Sequence, residues 1–257
     1  MALIASDRAK IRVEHLSFFY GENRVLKDNN IEIAESRITA LIGPSGSGKS
    51  THIRVYNRMF ELYAGQRATG RVLLDGADVL DRRRIDGMQL RSRVGMVFGK
   101  PTPFPMSVRD NVAFGLRLQG IRGAELEGRV MRALQDAALW DELKDRLGAL
   151  ATSLSAGQQQ RLCIARALAV EPDVLLLDEP ASDLDPIATA QIEELIRQMR
   201  GRLTVVMVTR NLQHAARVSD YTAVFYLGEI VEHAPTNVLF TRPSERRTED
   251  YITGKFG

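Results

Sequence analysis

Ile38-Thr39-Ala40-Leu41-Ile42-Gly43-Pro44-Ser45-Gly46-Ser47-Gly48-Lys49-Ser50-Thr51 is the stretch on which the reading of this chain turns. The run Ile38 to Ile42 has the length and character of a buried strand. Behind it, the spacing of Gly43, Gly48, Lys49 and Ser50 fits G-x-x-x-x-G-K-[ST], with a helix expected to start near Ser50. Glycines let backbone N–H groups turn inward around an anion, and the positive end of the helix points at the same place. Lys49 would then reach the outer phosphate oxygens and Ser50 would hold magnesium. The candidate phosphate-binding residues are therefore Gly43, Pro44, Ser45, Gly46, Ser47, Gly48, Lys49, Ser50 and Thr51.

A second stretch carries matching chemistry. Val174-Leu175-Leu176-Leu177 runs into Asp178 and Glu179, so an apolar strand ends in paired carboxylates. Asp178 is placed to hold the magnesium ion that the phosphate loop demands, and Glu179, one residue further, to take a proton from an attacking water. As an alternative, such a pair is only an acidic turn after a strand; the loop upstream argues against that.

The rest of the chain reads as an α/β protein. Ile11 to Phe18 and Ile31 to Ile33 suit a small N-terminal antiparallel sheet, with Tyr20-Gly21 as a turn. Arg54 to Met59 continues the helix after the phosphate loop, and Val72 to Leu74 and Val94 to Phe98 read as strands. Pro101, Pro103 and Pro105 interrupt regular structure, and from Val108 to about Leu147 apolar residues recur at helical spacing. A helical subdomain over about 100–165 is thus expected as an insertion in one domain spanning 1–257. Val174 to Leu177, Thr204 to Thr209 and Ala223 to Leu227 then alternate with helices Pro186 to Met199 and Asn211 to Val218, the pattern of a mostly parallel sheet.

Composition narrows the function. The net charge of +3 comes from scattered basic residues, and the run Arg82-Arg83-Arg84 suits a solvated loop better than a nucleic-acid surface. No stretch approaches a membrane span, and the start Met1-Ala2-Leu3-Ile4 lacks a signal-peptide pattern, so a cytosolic chain is expected. The single cysteine, Cys163, excludes an internal disulfide and lies in an apolar helical stretch where packing is its expected role. His214 and His233 have no metal-ligand companions at helical spacing, while His52 and Tyr56 lie on the helix after the phosphate loop, where a lone histidine on an apolar face reads as a core or edge residue and not as a ligand.

Leu154-Ser155-Ala156-Gly157-Gln158-Gln159-Gln160-Arg161 resembles the signature of ATP-binding cassette proteins, with Ala156 in place of the usual glycine. The resemblance implies a phosphate-loop NTPase cassette that binds ATP with Mg2+. It also implies a head-to-tail dimer in which Ser155, Gly157 and Gln158 of one copy cap the γ-phosphate on the other. By the same resemblance Tyr20 stacks on adenine, and Asp185 of Ser182-Asp183-Leu184-Asp185 crosses the dimer; Asp183 replaces the commoner alanine. Two departures touch the chemistry. Gly99 stands where the family has glutamine and Arg210 where it has histidine, so neither γ-phosphate sensor is the usual one.

Over nearly its whole length the chain is similar to the ATP-binding subunits of bacterial phosphate importers. The segments are Asn57-Arg58-Met59, Lys100 to Ser107, Asp110-Asn111-Val112, Leu139 to Glu142, Gln158 to Ala169, Asn211, Ala215 to Asp220 and Arg247 to Gly254. This similarity implies two copies under two integral membrane permease subunits at the cytoplasmic face of the inner membrane, with a periplasmic phosphate-binding protein acting indirectly. Phe104 and Met106 are the candidate permease contacts. Two functions follow: an ATPase driving phosphate import through Glu179, or an ATP-binding regulatory subunit whose hydrolysis is impaired by Gly99 and Arg210.

Overall fold

The computed structural model describes residues 8–255. β1 (Ala9–Tyr20) turns through Gly21 into β2 (Asn23–Ala34), and β3 (Ile38–Ile42), buried at every position, leads to the phosphate loop and α1 (Lys49–Tyr56). β4 (Gln66–Leu74) returns antiparallel to β1 and pairs with β5 (Ala77–Asp78), giving a first sheet of order β2-β1-β4-β5. After α2 (Gly87–Arg93) comes β6 (Val94–Phe98), then α3 (Val108–Leu118), α4 (Gly123–Asp136), α5 (Trp140–Leu143) and α6 (Ala156–Leu168). The chain closes with β7 (Val174–Asp178), α7 (Pro186–Gln198), β8 (Thr204–Val208), α8 (Leu212–Val218), β9 (Tyr221–Tyr226), β10 (Glu229–Pro235), α9 (Thr236–Thr241) and α10 (Arg246–Ile252). The second sheet has the order β10-β9-β3-β8-β7-β6 and is parallel except for β10. The expected α/β class, with an N-terminal antiparallel sheet and a mostly parallel core, is the observed one.

The parallel sheet is buried on both faces, which is why its strands read as continuous apolar runs. Alternation then assigns each side chain to one of two cores. Ile38, Ala40, Ile42, Leu175, Leu177, Val205 and Met207 pack with the helices α3, α4, α6, α7 and α8. Leu41, Val174, Leu176, Val206 and Val208 face the other way, onto Ile53, Val55 and Tyr56 of α1 and onto Ile11, Val13, Leu16 and Phe18 of the first sheet. The helix behind the phosphate loop is therefore sandwiched between the two sheets.

Some expectations move. The helix after the phosphate loop stops at Tyr56 instead of running to Met59, because Arg58 takes a left-handed conformation (φ 56°) and a short 3-10 turn follows. The helical stretch from Val108 to Leu147 is divided into three, with a second break at Ala138 (φ 51°). Strand β10 and helices α9 and α10 go beyond the sequence reading.

His52 and Tyr56 are fully buried one helical turn apart, with His52 Nδ1 and the Tyr56 hydroxyl 3.1 Å apart. His52 Nε2 has no partner, and burial pushes the imidazole pKa down to about 3. The unfolded chain, with a His pKa near 6.5, binds the proton first, so stability falls as pH drops from about 6.5 toward 3. The double variant His52→Leu/Tyr56→Phe is expected to remove much of this acid sensitivity, by on the order of 3 kcal/mol at about pH 4. Urea unfolding at neutral and acid pH measures it, and equal acid losses in both proteins would contradict the assignment.

Candidate nucleotide site

In the parallel sheet Leu41 is level with Val208, Val208 with Asp178, and Asp178 with Phe98. The carboxyl ends of β3, β8, β7 and β6 therefore form one line, where open α/β sheets bind their ligands. From that line project the phosphate loop, Arg210, the carboxylates Asp178 and Glu179, and Gly99. Residues far apart in the chain reach one site through backbone register alone.

Gly43 starts the loop with φ +141°, and a Cβ there would lie 2.1 Å from the Phe225 carbonyl oxygen, so no other residue fits. The Tyr251 side chain of α10 interacts with the Gly43 backbone, which opposes the rise in its pKa that burial causes. Ser45 and Gly46 form the exposed crest of the loop, and Ser47 and Lys49 are buried. Lys49 Nζ donates to the carbonyls of Gly43 (2.8 Å) and Pro44 (2.7 Å) and to Ser47 Oγ (3.2 Å). The lysine thus closes the loop on itself and sets the width of the cradle. Thr51 meets the Tyr20 hydroxyl at 3.0 Å, which fixes the half-exposed Tyr20 ring beside α1.

The two expected magnesium-holding residues touch. Ser50 Oγ donates to Asp178 Oδ1 at 2.6 Å, while Arg54 Nη2, one turn along α1, donates to Asp178 Oδ2 at 3.0 Å. A hydroxyl and a carboxylate are the hard oxygen donors that suit Mg2+ completed by water and phosphate oxygens. Bound there, the ion would neutralise charge on the outer phosphates. Among the described residues no group of three His, Cys, Asp or Glu side chains could hold a metal by itself.

Glu179 has a left-handed backbone (φ 55°), held by its N–H donating to Val208 O (2.9 Å) and its carbonyl accepting from Ser182 N (3.1 Å). Such a conformation is costly for a non-glycine residue and needs this support. Arg210 folds onto it, its Nε donating to Glu179 Oε2 at 2.7 Å. Gly99 lies behind the same pair: a Cβ on it would be 2.7 Å from Glu179 O and 3.1 Å from Asp178 O. In this backbone there is no room for the glutamine that resembling proteins carry.

Ser155, Gly157, Gln158 and Asp185 gather at a second place, where the starts of α6 and α7 meet. Ser155 caps α6 by accepting from Gln158 N (3.3 Å), and Gln158 Oε1 accepts in return from Ser155 N (3.2 Å). A Cβ on Gly157 would come 2.7 Å from Ala188 Cβ, so glycine lets α6 pack closely on α7. Asp185 caps α7, accepting from the amides of Ile187 and Ala188 at 2.9 Å each, with Pro186 next in the helix. Ser155 and Asp185 are both exposed, as a surface for a partner requires.

Sequence reasoning did not anticipate Arg54 on Asp178 or Tyr251 on Gly43. Arg54 carried a readable signal, because it stands four residues after Ser50 and shares its helix face. Tyr251 carried none, since only the fold brings α10 to the phosphate loop.

Burial pushes the Lys49 pKa down to about 8, against the pull of Glu179, with Arg210 adding repulsion and Asp178 opposing it. An incoming phosphate favours the protonated amine, so binding is strongest below about pH 8 and weakens above it. Titrations of ATP from about pH 7 to about pH 9.5 should show affinity falling, and this fall should vanish in Lys49→Ala. A flat profile in the unsubstituted chain would contradict the assignment.

Comparison with known proteins agrees with this geometry. The model of the ABC transporter family matches residues 26–182. The chain is similar to the solved structure of CbiO1 from Clostridium perfringens, part of the ABC transporter complex CbiONQ, at 27% identity, TM-score 0.80 and 97% coverage of both chains. It is also similar to a bacterial Atm1-family ABC exporter solved with ATP bound, at 25% identity and TM-score 0.79, over the whole of this chain and 44% of the exporter. Among the described residues no helix is long and apolar enough to cross a membrane. With more than half its length matched and the phosphate loop, paired carboxylates and signature helix in place, the chain belongs to the ABC transporter family as a nucleotide-binding domain.

Proposed function

We propose that this chain is the ATP-binding and ATP-hydrolysing subunit of an importer of inorganic phosphate. The observation that carries the hydrolytic part is the meeting of Lys49 and Ser50, which follow β3, with Asp178 and Glu179, at the end of β7, across the carboxyl end of the intervening β8. In this reading Lys49 and the loop amides hold the phosphates, Ser50 and Asp178 hold magnesium, and Glu179 accepts the proton of the attacking water. Tyr20 faces the base. Ser155, Gly157 and Gln158 of a second copy cover the γ-phosphate, with Asp185 crossing beside them. The phosphate specificity is supported by the stretches Lys100 to Ser107 and Arg247 to Gly254, which generic cassette ATPases lack.

Two membrane subunits would sit on the helical region, at the cytoplasmic face of the membrane, with a periplasmic phosphate-binding protein upstream. Phe104, expected as a contact, is half-buried, its ring tilted at 57° against Phe114 with centroids 4.9 Å apart, and it lies 4.1 Å beneath the Arg166 guanidinium. The more exposed apolar side chains beside it are Phe114 and Leu118 on α3. Asn111 fixes the loop between them, its Nδ2 donating to the carbonyls of Phe104, Met106 and Ser107. A rigid loop with an apolar rim is a suitable seat for a short permease helix.

One observation favours a second reading. Arg210 occupies Glu179, and Gly99 supplies no side chain, so the site could bind ATP and regulate a transporter without turning over. Steady-state hydrolysis by the unsubstituted chain, Glu179→Gln and Arg210→His separates the two. The proposal expects turnover about a hundredfold or more above Glu179→Gln, and turnover of the same order in Arg210→His, because the γ-phosphate draws Arg210 off the base. Turnover no higher than Glu179→Gln would reject the enzyme and leave the regulatory subunit.

A further inference from the structure

Gln160, near the start of α6, is fully buried. Its Nε2 donates to the carbonyl of Phe98, the last residue of β6, and to the carbonyl of Pro180, the residue after Glu179, both at 2.9 Å. Its Oε1 is buried and without a partner. An orphaned buried carbonyl is destabilising, and an apolar side chain of the same length would avoid that cost. What the amide supplies is two directed bonds, each to a backbone group beside the chemistry. The two loops, one entering Gly99 and one leaving Glu179, are neighbours through the β6–β7 pairing, and Gln160 ties both of them to the helix that begins at Ser155.

Glu179 needs such a tie. Its left-handed backbone is pinned on one side by the bond from its N–H to Val208 O, and the next carbonyl is pinned by Gln160. Gly99 has no side chain with which to order the γ-phosphate end, so the backbone at Phe98 is held from behind instead. We infer that Gln160 is a positioning residue, which fixes the Glu179 carboxylate for proton transfer and makes both loops follow any displacement of the signature helix. This rests on the reading of Glu179 as the base. Geometry of this kind matters steeply, since misplacing a catalytic group by about 1 Å can cost on the order of a hundredfold in rate.

The test uses Gln160→Met, which keeps length and removes the donors, and Gln160→Glu, which keeps shape and replaces the donors with acceptors. Both should lower kcat about tenfold or more while ATP affinity stays within about twofold. In a Glu179→Gln background Gln160→Met should add no further loss, because it acts through a carboxylate already removed. Hydrogen exchange on the ligand-free chain should rise at residues 98–102 and 179–184 and not at 38–51. Unchanged kcat in both variants, or losses that multiply in the double variant, would overturn the inference. If the unsubstituted chain turns over no faster than Glu179→Gln, the proposed function fails by itself. Exchange then decides for Gln160: a rise confined to the two loops supports the tie, and unchanged exchange rejects it.

Discussion

The level register of β3, β8, β7 and β6 is the constraint on which the site depends. Parallel pairing fixes where each strand ends relative to its neighbours, and a slip of one residue would turn every side chain to the wrong core. The apolar runs that seal both faces of the sheet therefore also set the distance between the phosphate loop and the carboxylates. Stability and the proposed site use the same residues: Leu41, Leu176 and Val208 pack onto α1 while holding Gly43, Asp178 and Arg210 at their places. The glycine at position 43 completes the arrangement, since only there can the loop leave β3 so close to Phe225.

Charge is arranged to be exchanged. Lys49, Arg54 and Arg210 face Asp178 and Glu179, and each cation already has an internal acceptor: loop carbonyls, Asp178 and Glu179 respectively. The pairs differ in exposure. Asp178 is 8% exposed at its side chain and accepts from two donors, whereas the Arg210 and Glu179 side chains are 57% and 25% exposed. An ion pair so open to water is worth about 1 kcal/mol or less, so an arriving γ-phosphate can draw Arg210 away and leave Glu179 free. In the proposed reading, Arg210 would act as a charge-sensing clamp that moves from the Glu179 carboxylate to the γ-phosphate.

Much of this was legible in the sequence because the informative segments are extreme. Ile38 to Ile42 and Val174 to Asp178 are buried at every position, and nothing but a central strand reads that way. The phosphate loop and the carboxylates follow those strands directly, so motif and context reinforce each other. Strand β10 was not legible because Glu232 and His233 turn inward among the apolar residues, Glu232 accepting from the Ser244 and Glu245 amides at the approach to α10. The end of α1 was misplaced because nothing in the Asn57-Arg58 pair announces a left-handed turn. Gln160 and Tyr251 each act on a group distant in the chain, and such pairings exist only once the sheet has formed.

Most directly, the account stands on Arg210 trading Glu179 for the γ-phosphate. Calorimetric titration of ATP and ADP with magnesium, on the Glu179→Gln chain and on Glu179→Gln/Arg210→Ala, isolates that contact without turnover. The account predicts that removing Arg210 lowers the preference for ATP over ADP by about tenfold, the worth of one hydrogen bond to a charged group. An ATP-to-ADP affinity ratio unchanged by the substitution would contradict it and return Arg210 to the role of a surface residue.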